Sequence, residues 1–147
     1  MHFHPGFKLM YELTLEVPTR HFEDNYGKAI VKMVNTADQQ VLSDEDHMRV
    51  FLAESKECFR QGADGEVLDA TLLYQAWPFD VGKVTRPVHY WQGSEDHLIP
   101  EALSEEVADG TPGAVWHLVD GGGHFIAVSH ANDILALAAK DLAAAGD

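Results

Sequence analysis

Cysteine occurs once in this 147-residue chain, and its 10 lysines and arginines stand against 24 aspartates and glutamates. A lone thiol excludes an internal disulfide, which suits a reducing compartment, and a cytoplasmic location is expected. The formal charge of −14 argues against nucleic acid or an anionic membrane as partner, because counterion release needs basic side chains in number. No stretch approaches the ~20 apolar residues of a membrane span, and no basic start followed by an apolar run opens the chain. His2 and His4 stand two apart near the start, but metal sites take three or four ligands at recognised spacings and nothing joins this pair. Neither a metal nor another cofactor is expected.

What the chain does have is 46% hydrophobic residues, enough for one core. The first part, 1–84, reads as helices joined by short connections. A helical pattern over 7–16 is stopped by Pro18. A second, over 20–35, sets Phe22, Tyr26, Ile30 and Val34 four residues apart on one face, with Gly27 weakening it by roughly 1 kcal/mol relative to Ala. A third starts with Ser43 as cap and Asp46 three residues on. Met48, Phe51, Leu52, Ser55 and Phe59 line one side until Gly62 ends it. Cys58 falls within that pattern and reads as a small packing residue. The fourth helix covers 65–76, with Val67, Leu68, Leu72 and Leu73, and Trp77-Pro78 breaks it.

The second part, 85–147, is a strand-helix-strand-helix tail. Two apolar strands, 88–92 and 115–119, flank a segment suited to a short helix, 101–109. Each strand delivers an ionisable residue just beyond its C-terminal end, Asp96 after the first and His124 after the second. In open parallel sheets the chemistry sits outside the carboxyl ends of the strands. The spacing of one strand-helix-strand repeat sets the two loops side by side. A carboxylate there can accept the imidazole Nδ1 proton, fix the tautomer and stabilise the imidazolium. Glu95 and Asp120 are rivals for the acid, being carboxylates near the same strand ends, and Asp96 is preferred on its loop pattern. His89 and His117 read as ordinary strand residues. Gly121, Gly122 and Gly123 read as residues that permit positive φ, so that the loop turns back and presents His124.

At these residues the chain resembles the C-terminal part of an α/β-fold hydrolase. Gly93-Ser94-Glu95-Asp96-His97-Leu98-Ile99-Pro100 is similar to that family's acid loop, and Gly123-His124-Phe125 to its histidine loop, in the family's order. The resemblance implies an α/β fold in which a helical cap-like region, 1–84, precedes the C-terminal part of the hydrolase core, 85–147. It also implies that Asp96 and His124 are catalytic, with Trp77, His97, Leu98 and Phe125 candidates for lining a substrate pocket.

The chain departs from the family in lacking a Gly-x-Ser-x-Gly elbow and an oxyanion-hole loop. Ser43, Ser55, Ser94 and Ser104 lack small residues on both sides. Ser129 has them but follows the histidine loop, at the start of a helix. Two parallel strands also leave sheet edges open, so partner strands are expected from a missing half, a second copy or a separate chain. Two function classes follow. One is an enzyme part acting on a small-molecule ester or related bond once completed, and inactive alone. The other is a non-catalytic module that pairs through its sheet edge and tolerates loss of His124.

Overall fold

Pro18 does not stop a helix. In the computed structural model, which describes residues 5–73 and 75–145, α1 (Pro5–Tyr11) continues through a π-helical turn (Glu12–Glu16) into α2 (Val17–His21), whose first turn holds Pro18. An unbroken α-helix would press the proline ring against the carbonyl four residues back. The wide turn, closed by the Val17 N–H donating to the Glu12 carbonyl, shifts the register just ahead of it, and the first turn of a helix has no use for the missing N–H. The break comes instead at Phe22, whose backbone (φ −136, ψ 46) leaves the helical region. The helix expected over 20–35 is therefore divided, and α3 runs Glu23–Met33. His2 and His4 lie outside the described residues.

The chain divides into two compact units. The first comprises 1–33 and 42–80 and contains α1 to α3, α5 (Glu45–Cys58) and α6 (Asp64–Leu73). Asp44, not Ser43, caps α5, its Oδ1 accepting from the Asp46 and His47 amides at 2.9 and 3.0 Å. A carboxylate there meets two otherwise unpaired N–H groups and the positive end of the helix, an advantage no neutral hydroxyl matches. Gly27 has a use beyond its helical cost, since a Cβ there would lie 3.3 Å from the Met48 sulfur. Its absence lets α3 and α5 close, with Tyr26 stacked on Phe51.

Burial in this unit centres on Phe59, Ala63, Val67 and Ala70, while Leu68, Leu72 and Leu73 on the same α6 are exposed. Of the four apolar residues the sequence marks on α6, Val67 is the one that turns inward, together with the small Ala70. Cys58, at the end of α5, is exposed rather than packed.

The second unit comprises 34–41 and 81–147. Its sheet, among the described residues, is β1 (His89–Gly93) and β2 (Val115–Val119), parallel, with His89 opposite Val115 and Gly93 opposite Val119. The crossover is α7 (Glu101–Asp109), and α8 (Ile126–Ser129) and α9 (Ala131–Ala145) follow β2. Tyr90 on β1 bonds Thr111 after α7 at 2.9 Å, fastening crossover to strand. The short helix α4 (Thr36–Leu42), which periodicity did not mark, contributes most of its length here.

His89 and His117 are more than strand filler. His89 Nε2 lies 2.9 Å from an Asp141 oxygen on α9, and His89 Nδ1 lies 2.8 Å from His117 Nε2. If the carboxylate accepts from His89 Nε2–H, then His89 Nδ1 must accept from His117 Nε2–H, so one chain of bonds ties α9, β1 and β2 and fixes both tautomers. Trp91 covers the far end, stacked on His117 at 4.4 Å.

Truncating Phe59, 5% exposed, to alanine should cost about 3–5 kcal/mol. Urea denaturation would show this as a lowered midpoint with an unchanged slope.

Candidate functional site

The site forms where the loops after β1 and β2 meet. Ser94 N–H donates to the Val119 carbonyl at 3.0 Å and Glu95 N–H to the Gly122 carbonyl at 2.9 Å. The Ser94 hydroxyl accepts from Gly121 N–H at 2.9 Å. Such lacing requires glycine: a Cβ on Gly93 would collide with the backbone of Gly122, and one on Gly122 would lie 2.8 Å from a Val119 methyl carbon. Within the glycine run only Gly121 has positive φ, at 69. Gly122 and Gly123 serve close approach, which corrects the reading of all three as turn-formers.

Gln92, 4% exposed, points its amide into the base of the acid loop and donates to the Ile99 carbonyl at 3.1 Å. Asp96 folds the loop around itself. Its Oδ1 accepts from the Leu98 and Ile99 amides at 2.8 and 2.9 Å, leaving Oδ2 for the His124 Nδ1 at 3.0 Å. The Asp96 side chain is only 7% exposed, that of His124 38%. Burial pushes the Asp96 carboxyl up, but the Ile99 amide, the His124 imidazole and the Leu98 amide together outweigh it and hold the group below the usual carboxylate range.

The remaining candidates divide. Phe125 packs edge-on against His124, ring centres 5.8 Å apart. His97 and Leu98 stand exposed on the acid loop, with His97 3.8 Å from the rival carboxylate Glu95. Trp77 belongs to the first unit, where it stacks on Phe79. Asp120 is exposed on the loop after β2. Ser129 Oγ lies 3.0 Å from the ring of its neighbour His130. Among the described residues His124 Nε2 has no hydrogen-bond partner, and no cluster of three or more His, Cys, Asp or Glu is arranged to hold a metal ion.

Asp38, from α4, was invisible in the sequence because it lies 86 residues from His124 and in no motif. Its Oδ2 accepts from the His124 amide and its Oδ1 from the Phe125 amide, both at 2.8 Å. Asn35 binds the other loop, donating to the Glu95 carbonyl at 3.0 Å. The one available signal was Asn35-Thr36-Ala37-Asp38, an Asn at a helix start with a carboxylate three residues on.

With an oriented Nδ1–H and an open Nε2, the pair can take a proton at Nε2 and return it. No protein-family model and no curated protein matches the chain. A solved structure described as an N-acyl homoserine lactone degrading enzyme is similar in fold, with a TM-score of 0.51 and 16% identity over 94% of this chain. The alignment covers 51% of that protein, so this chain spans about half its length. At that identity the likeness concerns fold, that of a mostly helical chain with a small parallel sheet. In addition, no helix among the described residues is long and apolar enough to cross a membrane.

Because its pKa is lower in the folded chain, Asp96 adds stability that is fully present above the unfolded carboxylate value of about 3.9 and is lost as pH falls below that through the folded value. Asp96→Asn should therefore lower stability at pH 7 and flatten its fall between pH 5 and pH 2. Denaturation midpoints across that range check both.

Proposed function

We propose that this chain is the acid-and-base part of an α/β-fold hydrolase, with Asp96 orienting His124 and His124 acting first as general base and then as general acid. The observation that carries the reading is the 3.0 Å contact between His124 Nδ1 and Asp96, made by loops at the carboxyl ends of adjacent parallel strands. Both loops match the family's sequence pattern, and the fold's likeness to an enzyme described as degrading a lactone lends support.

In this reading an external nucleophile, held near His124 Nε2, loses its proton to that nitrogen as it attacks an ester, lactone or related centre. The imidazolium, stabilised by Asp96, then protonates the leaving group, and a water that gives its proton to the same Nε2 releases the acyl group from the nucleophile, which takes that proton back. The nucleophile comes from sequence that this chain does not contain, on a strand set beside the open sheet. The substrate is a small molecule, no cofactor takes part, and the reaction takes place in the cytoplasm. His97, Leu98 and Phe125 contribute to the substrate surface.

A second reading rests on the two sheet edges that no strand among the described residues pairs. A chain that keeps acid and base without a nucleophile can serve as a pairing module, with a second copy or a separate chain completing the sheet.

One experiment separates the two. Hydrolysis of p-nitrophenyl esters and simple lactones is measured for this chain alone and for the chain joined to the sequence encoded immediately ahead of Met1. The hydrolase reading expects no turnover alone, turnover when joined, and a loss of at least about a thousandfold in the joined chain on His124→Ala. A joined chain without an elbow and without turnover, in an oligomer indifferent to His124→Ala, would overturn it in favour of the pairing module.

A further inference from the structure

We propose that Asp38 is a positioning residue for His124, its carboxylate holding the backbone of the base loop where the imidazole meets Asp96. The proposal rests on the reading of His124 as the base, and it concerns how that base is held.

Asp38 is 3% exposed, and each oxygen is committed to one backbone donor, Oδ2 to His124 N–H and Oδ1 to Phe125 N–H, at 2.8 Å each. Only an ionised carboxylate offers two acceptors and no donor in this space. An asparagine would turn its NH2 group toward one of the two N–H groups. The fit is close: a Cβ on Gly123 would collide with the Asp38 carboxyl, so the loop has a glycine where the carboxylate approaches. A buried charge with two charge-assisted bonds fixes geometry more sharply than neutral contacts do.

Asp38 is itself anchored. Its N–H donates to Asn35 Oδ1 at 2.8 Å, and the Asn35 amide donates to the Glu95 carbonyl at 3.0 Å. One turn of chain thus grips both loops, Asn35 the acid loop one residue before Asp96 and Asp38 the base loop at His124. Two side chains that must meet within hydrogen-bonding distance are held from a single piece of backbone. Asp38 touches no reacting atom in this arrangement. It acts through the placement of His124.

The test uses the full chain labelled with 15N and followed by NMR, with no substrate. Three signals are read: the His124 Nδ1–H resonance of the bond to Asp96, hydrogen exchange at the His124 and Phe125 amides, and the imidazole resonances of His89 and His117. The last report whether the strands and α9 remain assembled. In Asp38→Asn the expected result is loss of the His124 Nδ1–H resonance and exchange faster by about ten- to a hundredfold at the two amides, while His89 and His117 keep their wild-type signals. An unchanged His124 resonance and unchanged exchange would overturn the proposal. So would loss of the His89 and His117 signals together with that of His124, if the milder Asn35→Ala, which removes the anchor and leaves the carboxylate, keeps the His124 resonance at wild-type strength. Because Asn35 also holds the acid loop at Glu95, weakening of that resonance in Asn35→Ala supports the proposal when the His124 and Phe125 amides also exchange faster with His89 and His117 intact, and weakening without faster exchange would overturn it. The readout needs no turnover, so a joined chain that fails to hydrolyse esters counts against the hydrolase reading alone.

Discussion

Everything at the candidate site depends on how closely two stretches of backbone approach at the ends of β1 and β2. Gly93 ends its strand against the Gly122 peptide with no room for a side chain, and the loop amides of Ser94 and Glu95 continue the strand pairing into the carbonyls of Val119 and Gly122. Hydrogen-bonded strands lie about 4.8 Å apart. Two loops that carry this spacing onward bring short side chains from either one within reach of the other, and for that reason an aspartate and a histidine suffice. A methyl group at position 93 would force the loops apart and leave Asp96 and His124 intact but separated.

Given that approach, carboxylates finish the assembly by accepting N–H donors. Asp96 takes two amides of its own loop and an imidazole. Asp38 takes two amides of the opposite loop, and Asp141 takes the end of the His89–His117 chain. In a chain with a formal charge of −14 these three acids bind N–H donors on the loops and strands of the second unit, and the cost of partial burial is offset by charge-assisted bonds. Most other acids of the chain are exposed and contribute solubility. Net charge therefore says little about the site, whereas the donor set around each carboxylate says a good deal.

The tail was the legible part of the sequence because its elements are bounded by strong local signals. Pro100 and Gly110 flank α7, Gly93 ends β1 and Gly121 stands two residues past β2, so β2 and α7 lie where the sequence pattern sets them. The helical region was less legible. Pro18 looked like a stop because the sequence cannot show a π-turn ahead of it, and Phe22, where the helix does break, carries no breaker residue. On α6, Val67 and Ala70 are buried while larger leucines are not, since burial there follows the inward direction of the helix and not the size of its side chains. Asp38 was out of reach for a different reason: its partners are backbone amides 86 and 87 residues away, and a bond to backbone leaves no pattern in the partner's sequence.

On the hydrolase reading, the same geometry leaves sheet and site incomplete together. Each strand of a parallel sheet delivers one loop to the carboxyl end, so two strands deliver two functional groups, here a carboxylate and an imidazole. A nucleophile held within about 3 Å of His124 Nε2 needs a third loop at the same end, and a third loop there means a third strand along an open edge. On the hydrolase reading, the unpaired edge and the unengaged Nε2 are thus one deficit seen in two places, backbone and side chain, and a strand that satisfied the first would bring a residue to the second. On the pairing reading the edge alone matters, and the Asp96–His124 bond serves only to hold two loops together, a task that the backbone bonds from Ser94 and Glu95 to Val119 and Gly122 already perform. That redundancy favours a chemical use for the imidazole, because a half-exposed histidine held by a nearly buried aspartate adds little to loops already laced by their own backbone.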